Sequence, residues 1–301
     1  MENAENMENA EWHERRKSGL GGSDAPVACG ISPWRTPFQL YLEKRGEGEA
    51  QPENEYMRWG KLVEPIIRQR YSDLTGMEVA VPKDLLVHPK YPWMIANPDG
   101  LLPDRVLEIK ASRTAQGWGD AGTDEIPEQY LLQVTHYMSV TGRNLADVAV
   151  LIGGSDFRVY TVELDPELEA ILIDHERRFW EGVEKGEPPP LETYEDALQK
   201  YRQSKALVVQ ASEDVAASIL RMKQLRDEKK AIEKQEEALK TVVVKFMEEA
   251  DTLALGETTL ATWRTSKPVK RFNSSAFKEK YPHLYEEFLD KGKPTRRFLL
   301  K

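Results

Sequence analysis

The segment from Asn97 to Lys110, Asn-Pro-Asp-Gly-Leu-Leu-Pro-Asp-Arg-Val-Leu-Glu-Ile-Lys, constrains the fold more than any other part of the chain. A Pro-Asp pair is followed, nine residues after the Asp, by Glu-x-Lys at the end of a hydrophobic run. That arrangement predicts a β-hairpin with Asp99, Glu108 and Lys110 together at one end. Strand side chains alternate, so Glu108 and Lys110 share a face with Ile109 between them. Two carboxylates can hold a hard divalent cation, and a lysine can manage a water beside it.

This is equipment for cleaving a phosphodiester. In-line cleavage needs a nucleophilic water, neutralisation of the phosphate charge and stabilisation of the leaving oxygen. Two divalent ions roughly 4 Å apart can supply all three. Asp99 can bridge such ions, Glu108 adds a carboxylate from the partner strand, and the Ile109 carbonyl is a further oxygen ligand. Lys110 would orient the attacking water, its pKa lowered by the metal charge. Glu-x-Lys by itself is common on surface strands. Two features strengthen it. Glu64 lies in Trp59-Gly60-Lys61-Leu62-Val63-Glu64-Pro65, on a helix before the sheet, and Gln133 and Tyr137 lie on a helix after it. Their i,i+4 spacing puts Gln133 and Tyr137 on one face. The plainer readings are an exposed helix charge for Glu64 and a buried boundary phenol for Tyr137.

The chain of 301 residues is 40% hydrophobic, enough for a sizeable core. No apolar run approaches the ~20 residues of a membrane span. The opening Met-Glu-Asn-Ala-Glu recurs at 7–11; it is acidic, unlike a secretory signal, and residues 1–11 are expected to be loosely ordered. A lone cysteine, Cys29, excludes an internal disulfide and cysteine-built metal centres and suits a reducing cytoplasm. The net charge is −9, yet residues 257–301 hold eleven Lys/Arg against five Asp/Glu. A basic tail on an acidic body suits a polyanionic partner, or is simply a solvated surface.

Periodicity predicts a mixed α/β domain over 12–200. Residues 12–20 are basic and helix-prone, and Gly21-Gly22-Ser23-Asp24 makes a turn and helix cap. Helices follow at 36–44 and 54–75, the second with Met57, Leu62, Ile66, Ile67, Tyr71 and Leu74 on its apolar face. Strands are expected at 77–81, 84–87, 93–96, 105–110, 146–152 and 157–163, and helices at 128–141 and 166–185. Residues 205–250 read as one long helix or a helical hairpin that packs on something. Its seam is Met222, Leu225, Ile232, Leu239, Val243 and Phe246. The basic tail, 251–301, suggests strands at 258–263 and 296–300 around a helix at 274–289.

The order Gly-x-x-x-Glu, Pro-Asp-Gly, Glu-Ile-Lys, Gln-x-x-x-Tyr resembles the PD-(D/E)XK nucleases of the RecB and lambda-exonuclease type. Gly19-Leu20-Gly21-Gly22-Ser23-Asp24-Ala25 and Gly30-Ile31-Ser32-Pro33-Trp34 look more closely like the YqaJ family of phage recombination exonucleases. The resemblance covers about 10–190. It implies a restriction-endonuclease-like mixed sheet flanked by helices, carrying a helical and basic C-terminal extension. It implies Mg²⁺, as two ions for which Mn²⁺ can substitute, held by Glu64, Asp99 and Glu108. Lys110 becomes the catalytic lysine, supported by Gln133. Arg16 and Ser23 fall where the lambda-type enzymes bind a 5′-phosphate, and Tyr137 lies beside that DNA path. The chain departs at Asn97, where the family has a phosphate-binding serine; an asparagine amide can also donate. The implied activity is 5′-to-3′ digestion of linear double-stranded DNA, leaving 3′ single strands for a single-strand annealing protein. The enzyme would be a ring-shaped homo-oligomer such as a trimer, working in the cytoplasm of a phage-carrying bacterium.

Other signals are weaker. His13, His88, His136, His175 and His283 have no metal-ligand spacing, and His136 reads as structural. Trp34 and Trp118, in loops near the expected cleft, stack on a base, wedge the duplex end or simply pack in the core. The glycine turns at 19–22 and 153–154 do not match a phosphate-binding P-loop. The rival functions are a structure-selective endonuclease or single-strand exonuclease on the same fold, and a non-catalytic DNA-binding recombination accessory.

Overall fold

A computed structural model of the protein describes residues 17–48, 54–289 and 295–301. Residues 1–11, Arg16 and most of the 12–20 stretch lie outside them. The chain divides into two compact units after Lys200.

In the first unit, a 3₁₀ turn (Gly22–Asp24) leads into a single helical turn α1 (Ala25–Ala28). Helix α2 (Pro37–Lys44) starts with a capping box between Thr36 and Gln39 and with Pro37 at the first position. Helix α3 (Glu55–Thr75) is capped by Asn54 and stopped by Gly76 in the left-handed region. Four short or medium strands follow: β1 (Leu86–Val87), β2 (Ile95–Ala96), β3 (Gly100–Leu101) and β4 (Arg105–Ser112). Helix α4 (Glu128–Thr141) crosses to β5 (Leu145–Ile152), which turns into β6 (Asp156–Glu163). Helices α5 (Pro166–Lys185) and α6 (Tyr194–Lys200) complete the unit.

The central sheet has the order β3-β4-β5-β6. β4 and β5 are parallel, as the intervening helix requires, and the other two pairings are antiparallel. Both faces are covered. Val106, Val148, Val150 and Tyr160 pack with Val134 and Met138 of α4. Leu107, Ile109 and Ala149 pack with Ile67 and Tyr71 of α3. The expected architecture, a mixed sheet flanked by helices with a helical C-terminal region, is therefore present.

Several local expectations are corrected. Helix α3 buries Ile67 and Tyr71, with Val63 packed against the same cluster, on a stripe of four-residue spacing. Met57, Leu62, Ile66 and Leu74 point to solvent instead. Of 77–81, only Ala80 forms a β contact, an isolated bridge to Leu101.

In the second unit, residues 213–247 form one helix, α7 (Glu213–Met247), rather than a hairpin. It buries Met247 alone; Leu225, Ile232, Leu239 and Phe246 of the expected seam are exposed. A hairpin follows, β7 (Thr252–Leu255) and β8 (Thr258–Thr262), closed by Gly256-Glu257 with Gly256 at φ +60. Strand β7 was not foreseen. The helix expected at 274–289 splits into α8 (Ser274–Lys280) and α9 (Pro282–Glu287), because Pro282 drives Tyr281 out of the helical region. Residues 296–300 form no strand, and no described strand of that unit pairs with them.

Candidate active site

The hairpin of β3 and β4 pairs Gly100 with Leu107, which sets Asp99 across from Glu108. Gly100 cannot be replaced in place: a Cβ there would lie 2.3 Å from Val79 and 3.2 Å from Leu107. Asp99 is fixed from two sides. Its Oδ2 accepts the Ile109 backbone N–H at 2.7 Å, and its carbonyl accepts Arg68 Nε at 3.1 Å. Arg68 also grips Glu64 one turn earlier on α3. Sequence reasoning missed Arg68, although its position four residues after Glu64 was a usable signal.

Glu108 is buried, with its Oε1 accepting from Lys110 Nζ and, at 2.7 Å, from Gln133 Nε2. Lys110 Nζ also donates to Gln133 Oε1 at 3.0 Å and sits 4.7 Å from the Tyr130 ring centre. Gln133 thus bridges acid and lysine through both ends of its amide. The same amide donates to Tyr137 Oη at 3.2 Å, and Tyr137 reaches the Asn97 carbonyl at 3.4 Å. Ser23 arrives from the other side, on the 3₁₀ turn. Gly22 lets that turn approach, since a Cβ there would be 2.4 Å from the Tyr137 ring. Beneath the turn, Lys44 and Asp24 form a buried ion pair at 2.7 Å.

Ser23, Asn97, Asp99, Glu108, Gln133 and Tyr137 line one cavity of about 170 Å³. Asn97 and Ser23 are exposed at it, while the Tyr137 ring is buried. Arg16 lies outside the described residues. Glu64 faces Arg68, and among the described residues no three His, Cys, Asp or Glu side chains are assembled to hold a metal ion.

The electrostatics are unbalanced. Burial, then the neighbouring Glu108 and Glu64, push the Asp99 carboxyl up to about 8 against the pull of Lys110 and the Ile109 N–H. Burial works against the Lys110 ammonium, but Glu108 and Asp99 outweigh it and hold it above the ordinary lysine value. Among the protein's own charges this is opposite to the lowering expected beside a metal; here the two carboxylates set the direction. Glu108 Oε2 is buried with no hydrogen-bond partner. A buried carboxylate oxygen without a partner, beside a second carboxyl that burial and repulsion drive toward protonation, fits a cation. Asp99 and Glu108 are the residues that could hold it, while Glu64 is paired with Arg68.

Comparison with known proteins gives the chain a family. Residues 11–144 match the model of the YqaJ-like viral recombinase domain. The uncharacterized protein YqaJ of Bacillus subtilis (strain 168) is 31% identical over 312 aligned positions, covering 98% of this chain and 95% of that protein. An uncharacterized protein of Acanthamoeba polyphaga mimivirus, R354, is 30% identical over 151 positions, 46% of this chain and 27% of its own length. The fold is similar to that of an alkaline exonuclease from Laribacter hongkongensis, with a TM-score of 0.50 and 24% identity over 59% of this chain and 93% of that one. Among the described residues no helix is long and apolar enough to cross a membrane. Matched nearly end to end by YqaJ, the chain belongs to the YqaJ family.

Proposed function

We propose that the protein is a metal-dependent deoxyribonuclease that digests linear double-stranded DNA from 5′ ends and leaves 3′ single strands for recombination. The observation that carries this reading is the Asp99–Glu108–Lys110–Gln133 cluster, built around a buried carboxylate oxygen with no partner. The similarity in fold to the Laribacter alkaline exonuclease supports it, as does the family's description as a viral recombinase domain.

Divalent ions, Mg²⁺ in this reading, would be held by Asp99 and Glu108, with Glu64 and the Ile109 carbonyl as further oxygens, and would supply phosphate charge neutralisation and an acidified water. The chain's own residues do the positioning. The Ile109 N–H fixes one Asp99 oxygen. Gln133 hydrogen-bonds both Glu108 and Lys110, so the Lys110 ammonium stays beside the carboxylates and can orient a water. Ser23 and Asn97, exposed at the same cavity, offer hydroxyl and amide donors to a phosphate, and Arg16 would complete that pocket with a bidentate grip. Tyr137 fixes the floor beside them. The ring-shaped homo-oligomer and the annealing-protein partner belong to this reading through the family resemblance.

Digestion of linear duplexes labelled at the 5′ or the 3′ end, beside a covalently closed circle, tests it. The 5′ label is released first, the circle survives, and Arg16→Ala loses the preference for 5′-phosphate over 5′-hydroxyl ends. Loss of the circle would establish an endonuclease instead. Light scattering of the purified protein reads the oligomer.

A further inference from the structure

A stack of aromatic rings leads out of the core and ends on an open indole face beside the site. Tyr160 is buried, its hydroxyl donating to the Gly119 carbonyl at 2.8 Å. Trp118 packs on it at 5.3 Å between ring centres and is 8% exposed, so this tryptophan is core. Tyr130 stacks on Trp118 at 5.5 Å and 29°. Trp34 stacks on Tyr130 at 6.3 Å and 29°, and it is 62% exposed. The loop that carries Trp34 is braced: Ile31 and Ser32 both donate their N–H groups to the Pro26 carbonyl, and Trp34 N–H reaches Ser32 Oγ at 3.3 Å.

The position of this indole is what gives it a use. Trp34 lines a cavity of about 230 Å³ together with Ser23, Ser32, Lys110, Tyr130 and Gln133. Ser23 and Gln133 also line the cavity that holds Asp99 and Glu108. The same Tyr130 ring that supports Trp34 lies under the Lys110 ammonium. A nucleotide with its phosphate at the carboxylates would therefore have its base within the neighbouring space, beside a rigidly backed indole. Base–aromatic stacking tolerates any sequence, because every base has a π face. Trp34 carries no charge and no titration, so its contribution would be stacking alone.

We infer that Trp34 is a base-stacking residue: one face rests on Tyr130 and the other receives a nucleobase at the end of the digested strand. This rests on the reading of the protein as a DNA end-digesting nuclease and adds the group that grips the base. It separates Trp34 from Trp118, whose rings are covered on both sides.

The test pairs protein and DNA changes. Binding of a fluorescent linear duplex is measured with Ca²⁺ in place of Mg²⁺ for wild type, Trp34→Ala and Trp34→Phe, using intact DNA and DNA with an abasic site at each of the first three nucleotides of the 5′ strand. Trp34→Ala should weaken binding of intact DNA by about 5- to 150-fold, and Trp34→Phe should restore most of it. At one position the abasic site should weaken wild type by a similar factor and leave Trp34→Ala unchanged. Losses that multiply at all three positions would overturn the inference, as would unchanged binding by Trp34→Ala. A change in oligomer size on Trp34→Ala with no DNA coupling would assign the indole to a protein contact and also overturn it. If wild type digests linear DNA but shows no coupling, only the Trp34 inference fails. If wild type neither binds nor digests linear DNA, the nuclease reading itself fails and takes the inference with it.

Discussion

Two buried carboxylate clusters lie on opposite faces of the same sheet, and they are built on opposite plans. Asp147, on β5 facing α3, is fully matched. Tyr71 Oη donates to it at 2.5 Å, Thr161 Oγ1 at 2.8 Å, and Arg105 reaches both oxygens at 3.1 and 3.2 Å. Its charge is paired and its oxygens are used. Glu108, on β4 facing α4, keeps one oxygen unpartnered, shares its lysine with Asp99, and faces a cavity. The first cluster is closed by the protein's own groups. The second leaves a negative surplus, which a cation would balance. Burial of an acid alone says little; what matters is whether its partners are complete.

The comparison can be broken at the matched end first. Asp147→Ala strands Arg105 and Tyr71, so a loss of about 3–5 kcal/mol is expected in chemical unfolding. A loss below about 1 kcal/mol would show that the cluster is not the structural one.

A third buried pair tests charge matching through pH. His136 Nε2 donates to the Ile95 carbonyl at 2.9 Å, and Nδ1 faces Glu176 at 2.8 Å, both side chains fully buried. Burial opposes the charged imidazole, but Glu176 and the Ile95 carbonyl outweigh it and raise its pKa. A raised native pKa stabilises fully below the unfolded value of about 6.5 and loses that contribution as pH climbs through the native value. Thermal melts should show wild type losing stability relative to Glu176→Gln as pH rises above about 6.5. Parallel pH profiles for the two proteins would contradict the ion pair.

Gly22→Ala probes the approach of the Ser23 turn to the site. Its new methyl meets the Tyr137 ring, so about 1–3 kcal/mol of stability should be lost. An unchanged melting temperature would mean that the turn shifts freely. The smallest effect is expected at the unmatched acid. Glu108→Gln retains an oxygen for Gln133 and Lys110 and removes repulsion with Asp99, so stability should change by no more than about 1 kcal/mol. A loss as large as that of Asp147→Ala would erase the distinction between the two faces.

Much of the site is legible in the sequence because its spacing is local. Strand alternation puts Glu108 and Lys110 on one face, and helical spacing puts Gln133 beside Tyr137. The Asp147 cluster is not legible, since Tyr71, Arg105 and Thr161 meet it only through tertiary packing. The grip of Arg68 on the Asp99 carbonyl has the same origin: nothing local announces that α3 passes the hairpin. On α3 the apolar residues form more than one stripe, and only packing against Leu107 and Ile109 selects Ile67 and Tyr71. On α7 the pattern fixes a helix, helped by the Ser212 cap and i,i+4 pairs such as Glu236–Lys240, but it does not supply a covering partner.

The central claim is that Asp99, Glu108 and Lys110 form a phosphodiester-cleaving site. The direct measurement is the initial rate of nucleotide release from linear duplex DNA in Mg²⁺ by wild type, Asp99→Asn and Lys110→Ala. The account predicts release by wild type, none with EDTA, and losses of about 10²–10⁴-fold in each variant with the fold retained. Variants that release nucleotides at the wild-type rate would contradict it.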